Sequence, residues 1–414
     1  MGKLKAGFSR NIKQFVMLIM LVIIIVFFQL LTKGTLLKPM NVFNLINQNA
    51  YVVVLAVGML VCILTGGNID LSVGSVVAFV GACAGTFMIS WKWDPYLSAL
   101  LCMLIGMVIG AWHGFWIAYA HIPAFIVTLS GQLIFRGLTL ILLKGLTLSP
   151  FPSAFMGLST GAIPNLLGGL LPDTRLRNVT SLVIGILLAV GVIISQFKIR
   201  ADRKRKGYTY DGILAVTLRS GIIAAAIVYF FYILANYTGA PVVLISVGIV
   251  LMVYTYITSK TVMGRHLYAV GGNEKAARLS GVKTDKIKFL AYVNMSFLAA
   301  VAGLIFSARL NSSSPQAGTG FELDAIAACY IGGASAYGGI GTVGGALIGA
   351  LIMGVLNNGM SIQGISIDVQ QVVKGLVLLA AVAFDVISKQ KVSLPFLSRF
   401  SRWTARVTPG EKVA

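Results

Sequence analysis

Twelve apolar stretches, each 15 to 22 residues long, follow one another along this chain with polar connections between them. They run over 15–31, 51–65, 73–90, 96–117, 122–142, 181–196, 213–234, 240–257, 289–308, 323–338, 343–358 and 370–387. A helix needs about 20 mainly apolar residues to cross the hydrocarbon layer of a bilayer. The sequence therefore predicts an all-α polytopic membrane protein of about twelve transmembrane helices, with 1–414 forming a single transmembrane domain. Only 11% of the residues are charged, well under the roughly 25% typical of soluble domains. The first stretch is too long for a signal peptide and no small-x-small cleavage site follows it, so it is read as a retained first helix.

The formal net charge of +21 raises the question of a nucleic-acid partner, and the placement of the charge answers it. With the N-terminus in the cytoplasm, the cytoplasmic ends and loops hold Lys3, Lys5, Arg10, Lys13, the basic residues of 198–206 and 260–288, and a basic tail at 388–414. Together these are most of the 33 lysines and arginines. This is the positive-inside bias, and it predicts an even number of crossings with both termini cytoplasmic. Spread over separate loops, the charge builds no basic groove, so no nucleic-acid partner is expected. The run "KIRADRKRKGYTYD" instead reads as a topology anchor facing anionic lipid headgroups.

Catalytic chemistry has little to assemble from. Cys62, Cys83, Cys102 and Cys329 all fall within spans and lack metal-ligand spacing. His113, His121 and His266 are scattered, so neither a metal nor a cofactor is expected. Gly-Lys occurs only at Gly2-Lys3 and is followed by Leu4, which excludes a Walker A loop. Any nucleotide-driven work requires a separate ATPase chain, and this chain is read as a non-enzyme.

Glycine orders the interior. Gly106, Gly110 and Gly114 form one small-residue ridge and Gly341, Gly345 and Gly349 another, the pattern that lets helix backbones approach closely in lipid. Two stretches interrupt the spans: "TGGNIDLSVGS" (65–75) and "YIGGASAYGGIGTVGG" (330–345). Gly-interrupted segments in the two halves of a chain point to discontinuous helices around a translocation path; tight hairpins at the membrane surface are the alternative reading. In the first stretch the backbone amides of 69–73 and Ser72 are positioned to hold the Asp70 carboxylate as a helix cap. Residues 150–236 differ in texture, a Pro-broken loop followed by two spans, and read as an inserted loop and helix pair.

The loop 258–288 is the most informative polar stretch. Asn273 is placed as an N-cap, Glu274 suits the positive start of a helix, and "EKAARLSG" reads as a short helix closed by Gly281. Such an exposed helix, with Ala276, Leu279 and Ser280 on one face, suits insertion into a groove of a partner protein.

"GRHLYAVGGNEKAARLSGV", "FELDAIAACYIGGASAYGGIGTVGGALIGALIMGVLNNGM" and "QQVVKGLVLLAAVAFD", together with "TGGNIDLSVGS", resemble the successive signatures of ribose/xylose-type sugar permeases, the membrane subunits of ABC importers. The resemblance covers about 44–385 and is strongest to the multiple-monosaccharide, xylose-like branch of the branched-chain amino acid/ribose permease superfamily. That branch shares the region 150–236 and the Asn68 before Ile69. The resemblance implies an importer permease of the ribose/vitamin-B12-like type in the bacterial inner membrane. It also implies three protein partners: an ATPase subunit with two nucleotide-binding cassettes, a periplasmic sugar-binding protein, and a second permease copy. On the same ground Gly271, Gly272, Asn273, Glu274, Ala276, Arg278 and Gly281 would couple the permease to its ATPase within the cytoplasmic loop 258–288.

A sugar path should be neutral, lined by amides and hydroxyls. Asn44, Asn47, Asn49, Asn68, Asp70, Ser72, Ser75, Asn294, Asn357 and Asn358 are the candidates, each of which can instead bond a neighbouring helix. Among charges in or near spans, Arg136 is the deepest, Lys374 and Asp385 are placed to snorkel, and Asp324 either meets the binding protein or pairs with Arg309. An ion-coupled secondary transporter would call for paired mid-span carboxylates, and only Asp70 is available. A related permease for branched-chain amino acids or nucleosides is the other alternative.

Overall fold

A computed structural model describes residues 12–157, 159–170, 176–210 and 212–390. The basic tail beyond Gln390, together with Lys3, Lys5 and Arg10, lies outside the described residues. In chain order the helices are α1 (Ile12–Leu31), α2 (Pro39–Leu64), α3 (Val73–Gly85, extended by a π-turn Thr86–Ser90), α4 (Pro95–Ala118) and α5 (Ala124–Leu143). There follow α6 (Ser153–Gly157), α7 (Val179–Arg205), α8 (Ile213–Ala235), α9 (Val243–Lys260), α10 (Val262–Gly272) and α11 (Glu274–Leu279). The last are α12 (Thr284–Leu310), α13 (Phe321–Ile331), α14 (Val343–Ile362) and α15 (Ile367–Gln390). Two isolated β-bridges, Leu148 with Ser313 and Ala162 with Pro241, are the extended pairings among the described residues.

Among the described residues ten stretches are long and apolar enough to cross a membrane: α2, α3 with its π-turn, α4, α5, α7, α8, α9, α12, α14 and α15. The chain is a multi-pass membrane protein. Helix α1 adds a shorter apolar stretch, Val16–Leu31. The expected count of about twelve is approximate, and at 323–338 α13 stops after 11 residues, about 16 Å of a hydrocarbon layer near 30 Å thick. Glycine and alanine kept that stretch apolar in the sequence, but Gly332 and Gly333 turn the backbone out of the helix, Gly333 at φ +80°. The second span is also longer than its apolar part: Pro39 opens α2 at its first turn after an extended Lys38, a position that wastes no amide. Asn41, Asn44, Asn47 and Asn49 are therefore helical.

Helix α2 is the hub, packed by α9, α10, α12, α13 and α14, with 83% of its spanning stretch buried. It is apolar on every side from Ala50 to Leu64, as a helix surrounded by protein or lipid must be. The Gly106–Gly110–Gly114 ridge seats α4 on α12. A Cβ on Gly106 would lie 2.7 Å from the Ser296 carbonyl, and one on Gly110 2.6 Å from the Val293 Cα. Likewise α14 lies on α13, where a Cβ on Gly349 would strike the Ala328 carbonyl. Helices α7 and α8 pack chiefly on one another. Only 11% and 17% of their spans are buried, so this pair stands at the periphery.

Candidate functional site

The first Gly-rich stretch is a turn between two full-length helices, exposed at Gly66 and buried at Asp70. Gly66 and Gly67 take φ of +124° and +74°, values that favour glycine, and Asp70 is fully buried. Its Oδ1 accepts from the Ser72 amide (2.8 Å) and the Ser72 hydroxyl (2.6 Å), an Asx-type turn that launches α3. Of the amides that the sequence offered to this carboxylate, the one in bonding contact is that of Ser72, and Oδ2 has no hydrogen-bond partner. Asn68 closes the turn by donating to the Thr65 hydroxyl at 3.2 Å.

The second stretch, 332–342, continues the short α13 and lies directly on the first. The Gly339 amide donates to the Leu64 carbonyl at 3.3 Å. A Cβ on Gly67 would strike the Ala336 carbonyl, and one on Gly338 would lie 2.5 Å from the Gly66 Cα. The end of α10 completes the cluster, since a Cβ on Gly271 would overlap both the Leu64 carbonyl and the Gly339 amide nitrogen. One turn earlier the Tyr268 hydroxyl donates to the Gly341 carbonyl at 2.8 Å, and burial pushes the Tyr268 phenol up from its ordinary pKa. The Ala336 amide donates to Asp385 at 3.1 Å, tying α15 to the same loop.

The loop around α11 is built for rigidity. The Asn273 side chain accepts from the Ala276 amide at 3.0 Å. Gly281 sits at φ +85°, with its amide bonded to the Arg278 carbonyl and that of Val282 to the Ala277 carbonyl, a Schellman ending. Glu274 pairs with Lys288 at 2.7 Å and Arg278 with Asp285 at 2.8 Å, while Glu274 and Arg278 face each other at 3.4 Å. Arg278 also donates to Thr284 at 2.9 Å. Exposed pairs contribute little singly, but this network fastens α11 to the start of α12. Ala277 is the buried contact of α11, and Ala276, Leu279 and Ser280 face outward. Leu279 is 90% exposed, the large apolar tip that the coupling set drawn from the sequence omitted. Its signal was present as the bulkiest residue on the outward face of a polar helix.

The polar candidates do not converge on one point. Asn68, Asp70, Ser72 and Ser75 cluster at the break after α2. Asn49 lies in the same helix 16 residues before Thr65, about 24 Å away along the axis. Near that opposite end Asn358 and Asn41 exchange hydrogen bonds of 2.8 and 3.2 Å, locking α14 to α2. The Asn49 amide donates to the Leu45 carbonyl of its own helix at 2.7 Å, and its side chain packs where a Cβ on Gly354 would stand. Asn294 on α12 accepts from the Tyr254 hydroxyl of α9. Asn47 Oδ1, Ser75 Oγ, Asn294 Nδ2 and Asn357 Oδ1 are buried with no hydrogen-bond partner in the protein.

The charge assignments need two corrections. Asp324 pairs with Lys374 at 3.0 Å, not with Arg309, because α15 lies against α13; Lys374 accordingly turns inward instead of snorkelling. Asp385 likewise meets the 332–342 loop. Arg136 donates to the Pro315 and Ala317 carbonyls, both at 2.7 Å, so its charge holds the turn that leads into α13.

Set against known proteins, residues 41–382 match the family described as branched-chain amino acid transport system / permease component. The chain is 37% identical to the xylose transport system permease protein XylH of Escherichia coli (strain K12) over 92% of its own length and 94% of the relative's. To the XylH protein of Haemophilus influenzae it is 36% identical over 95% of its length and 100% of the relative's. It is 34% identical to the ribose import permease protein RbsC of Escherichia coli (strain K12), over 83% of its length and 85% of the relative's. No solved structure matches.

Proposed function

The chain belongs to the branched-chain amino acid transport system / permease component family, and on that premise we propose that it is the membrane-spanning subunit of an ATP-driven importer of monosaccharides, xylose or several sugars. The observation that carries this reading is the near full-length similarity to xylose permeases. It extends over more of the chain than the similarity to the ribose permease does. The peripheral α7–α8 pair and the loop before it are then the addition that distinguishes this branch. Buried amide and hydroxyl atoms of Asn47, Ser75, Asn294 and Asn357 that lack a hydrogen-bond partner suit a sugar cargo, although Asp70, His113, Ser296 and Asp324 also hold unpartnered buried atoms.

In this reading the protein lies in the bacterial inner membrane with both termini cytoplasmic and works as a pair of copies. A periplasmic binding protein delivers the sugar, and an ATPase chain with two nucleotide-binding cassettes drives transport. Helix α11 is the coupling element, with the exposed Leu279 as its apolar contact. Closure of the cassettes moves the coupling helices, and the bundles open a central path first to one side and then to the other.

The test is xylose and ribose uptake by proteoliposomes holding the assembled complex. Uptake should require ATP and the binding protein; uptake that followed a proton or sodium gradient and ignored ATP would overturn the reading. The double change Glu274→Lys with Arg278→Glu keeps their mutual pair but sets like charges against Lys288 and Asp285. It should weaken ATPase association while the chain still inserts in the membrane, and unchanged association would remove the coupling role.

A further inference from the structure

We propose that α10, through Gly271 and Tyr268, transmits the displacement of the coupling helix to both Gly-rich breaks of the bundle at once. The inference rests on the reading of α11 as the element that meets the ATPase, and adds the path by which its motion reaches the bundle. A single residue, Asn273, separates α10 from α11. Its amide closes α10 on the Ala269 carbonyl at 3.1 Å, while its side chain caps α11 at 3.0 Å. No slack chain lies between the two helices, so a displacement of α11 carries the end of α10 with it. Leu267 and Val270 anchor α10 in the bundle at 1% and 2% exposure.

At that end three backbones meet without intervening side chains. Gly271 abuts the Leu64 carbonyl at the close of α2 and the Gly339 amide nitrogen, and Gly339 itself donates to Leu64. Backbone has no rotamers to absorb a push, and a close-packed contact passes strain on to its neighbours. From Leu64 the chain enters the Asp70–Ser72 turn that starts α3; from Gly339 it runs to Thr342, whose hydroxyl accepts from the Gly345 amide at 3.0 Å and starts α14. Tyr268 adds a second link through Gly341. One movement of α10 thereby reaches the first turns of α3 and α14, two helices that carry path candidates.

The experiment compares three variants in the reconstituted complex, reading ATPase co-purification, ATP hydrolysis and xylose uptake. Gly271 stands in the coupling set drawn from the sequence, but a methyl group on it would meet Leu64 and Gly339 of the bundle, and in Gly271→Ala uptake per ATP hydrolysed should fall about tenfold or more, within the ordinary range of coupling between sites. Tyr268→Phe adds no atom and removes one hydrogen bond; uptake per ATP hydrolysed should fall about fivefold on the same scale. Gly344→Ala, two residues beyond the loop in the first turn of α14, where a Cβ meets nothing within 4 Å, adds no contact and should match the parent. Full uptake by Gly271→Ala would overturn the proposal, and so would loss of the ATPase from it, which would make this contact a docking element. Should Gly271→Ala fail to reach the membrane, Tyr268→Phe decides alone, and unchanged uptake per ATP sinks the idea. Failure of the underlying reading shows separately, as ATPase association that survives Glu274→Lys with Arg278→Glu.

Discussion

Lys374 belongs to a helix none of whose spanning stretch is buried, yet its ammonium reaches a carboxylate with 2% side-chain exposure. Removing one partner of a buried pair leaves an uncompensated charge, at a cost of about 3–5 kcal/mol. Lys374→Met should therefore lower the melting temperature of the detergent-solubilised protein markedly, and Asp324→Asn added to it should restore most of the loss. A double variant no more stable than the single one would show that the pair does not hold α15. The charge at Asp324 was legible in the sequence because ionised groups in spans are rare and need a reason. Its partner was not: Arg309 is nearer along the chain, and nothing in the residue order says that α15 comes back against α13. Asp70 divides the same way. Its place in a helix break and its local bond to Ser72 could be read from the flanking residues, whereas its complete burial with one oxygen unbonded depends on the helices packed around it.

Between helices, the glycine ridge of α4 was readable from its four-residue spacing, and the structure supplies the partner, α12. An overpacked contact costs about 1–3 kcal/mol. Gly110→Ala, whose Cβ would crowd Val293 and Ser296, should lower thermal stability by that order. Gly137→Ala, where a Cβ meets nothing within 4 Å, should be neutral or slightly stabilising by its gain in helix propensity. Equal effects of the two on detergent melting curves would refute close backbone packing as the glue of this bundle. Spacing failed at α13 for a definable reason. Glycine and alanine count as apolar when a span is summed, but a glycine pair whose second member, Gly333, takes a positive φ ends the helix whatever the sum. The cap of α11, by contrast, was fully local: Asn273, six residues of helix and a terminal glycine carry their own geometry.

For the whole molecule, the orientation inferred from the basic residues makes a direct prediction. The native cysteines are free and buried, so single cysteines at exposed positions can be labelled with a membrane-impermeant maleimide against a silent background. Lys206→Cys and Ser280→Cys should react only when the cytoplasmic face is presented, and Thr160→Cys only from the opposite face. Labelling of all three from one side would overturn the topology. By itself the sequence determined that the chain is a many-helix membrane protein, where most helices begin and end, and which loop projects as a short capped helix, because span length, helix caps and charge bias are local properties. Only the tertiary structure decided that α2 is the hub, that α7, though more apolar than α2, stays at the edge, and that two glycine turns meet at the end of α10. The physical reason is that lipid is as apolar as a protein core. Hydrophobicity sorts helices into the membrane without ranking them inside it, and that ranking falls to small-residue contacts and buried hydrogen bonds.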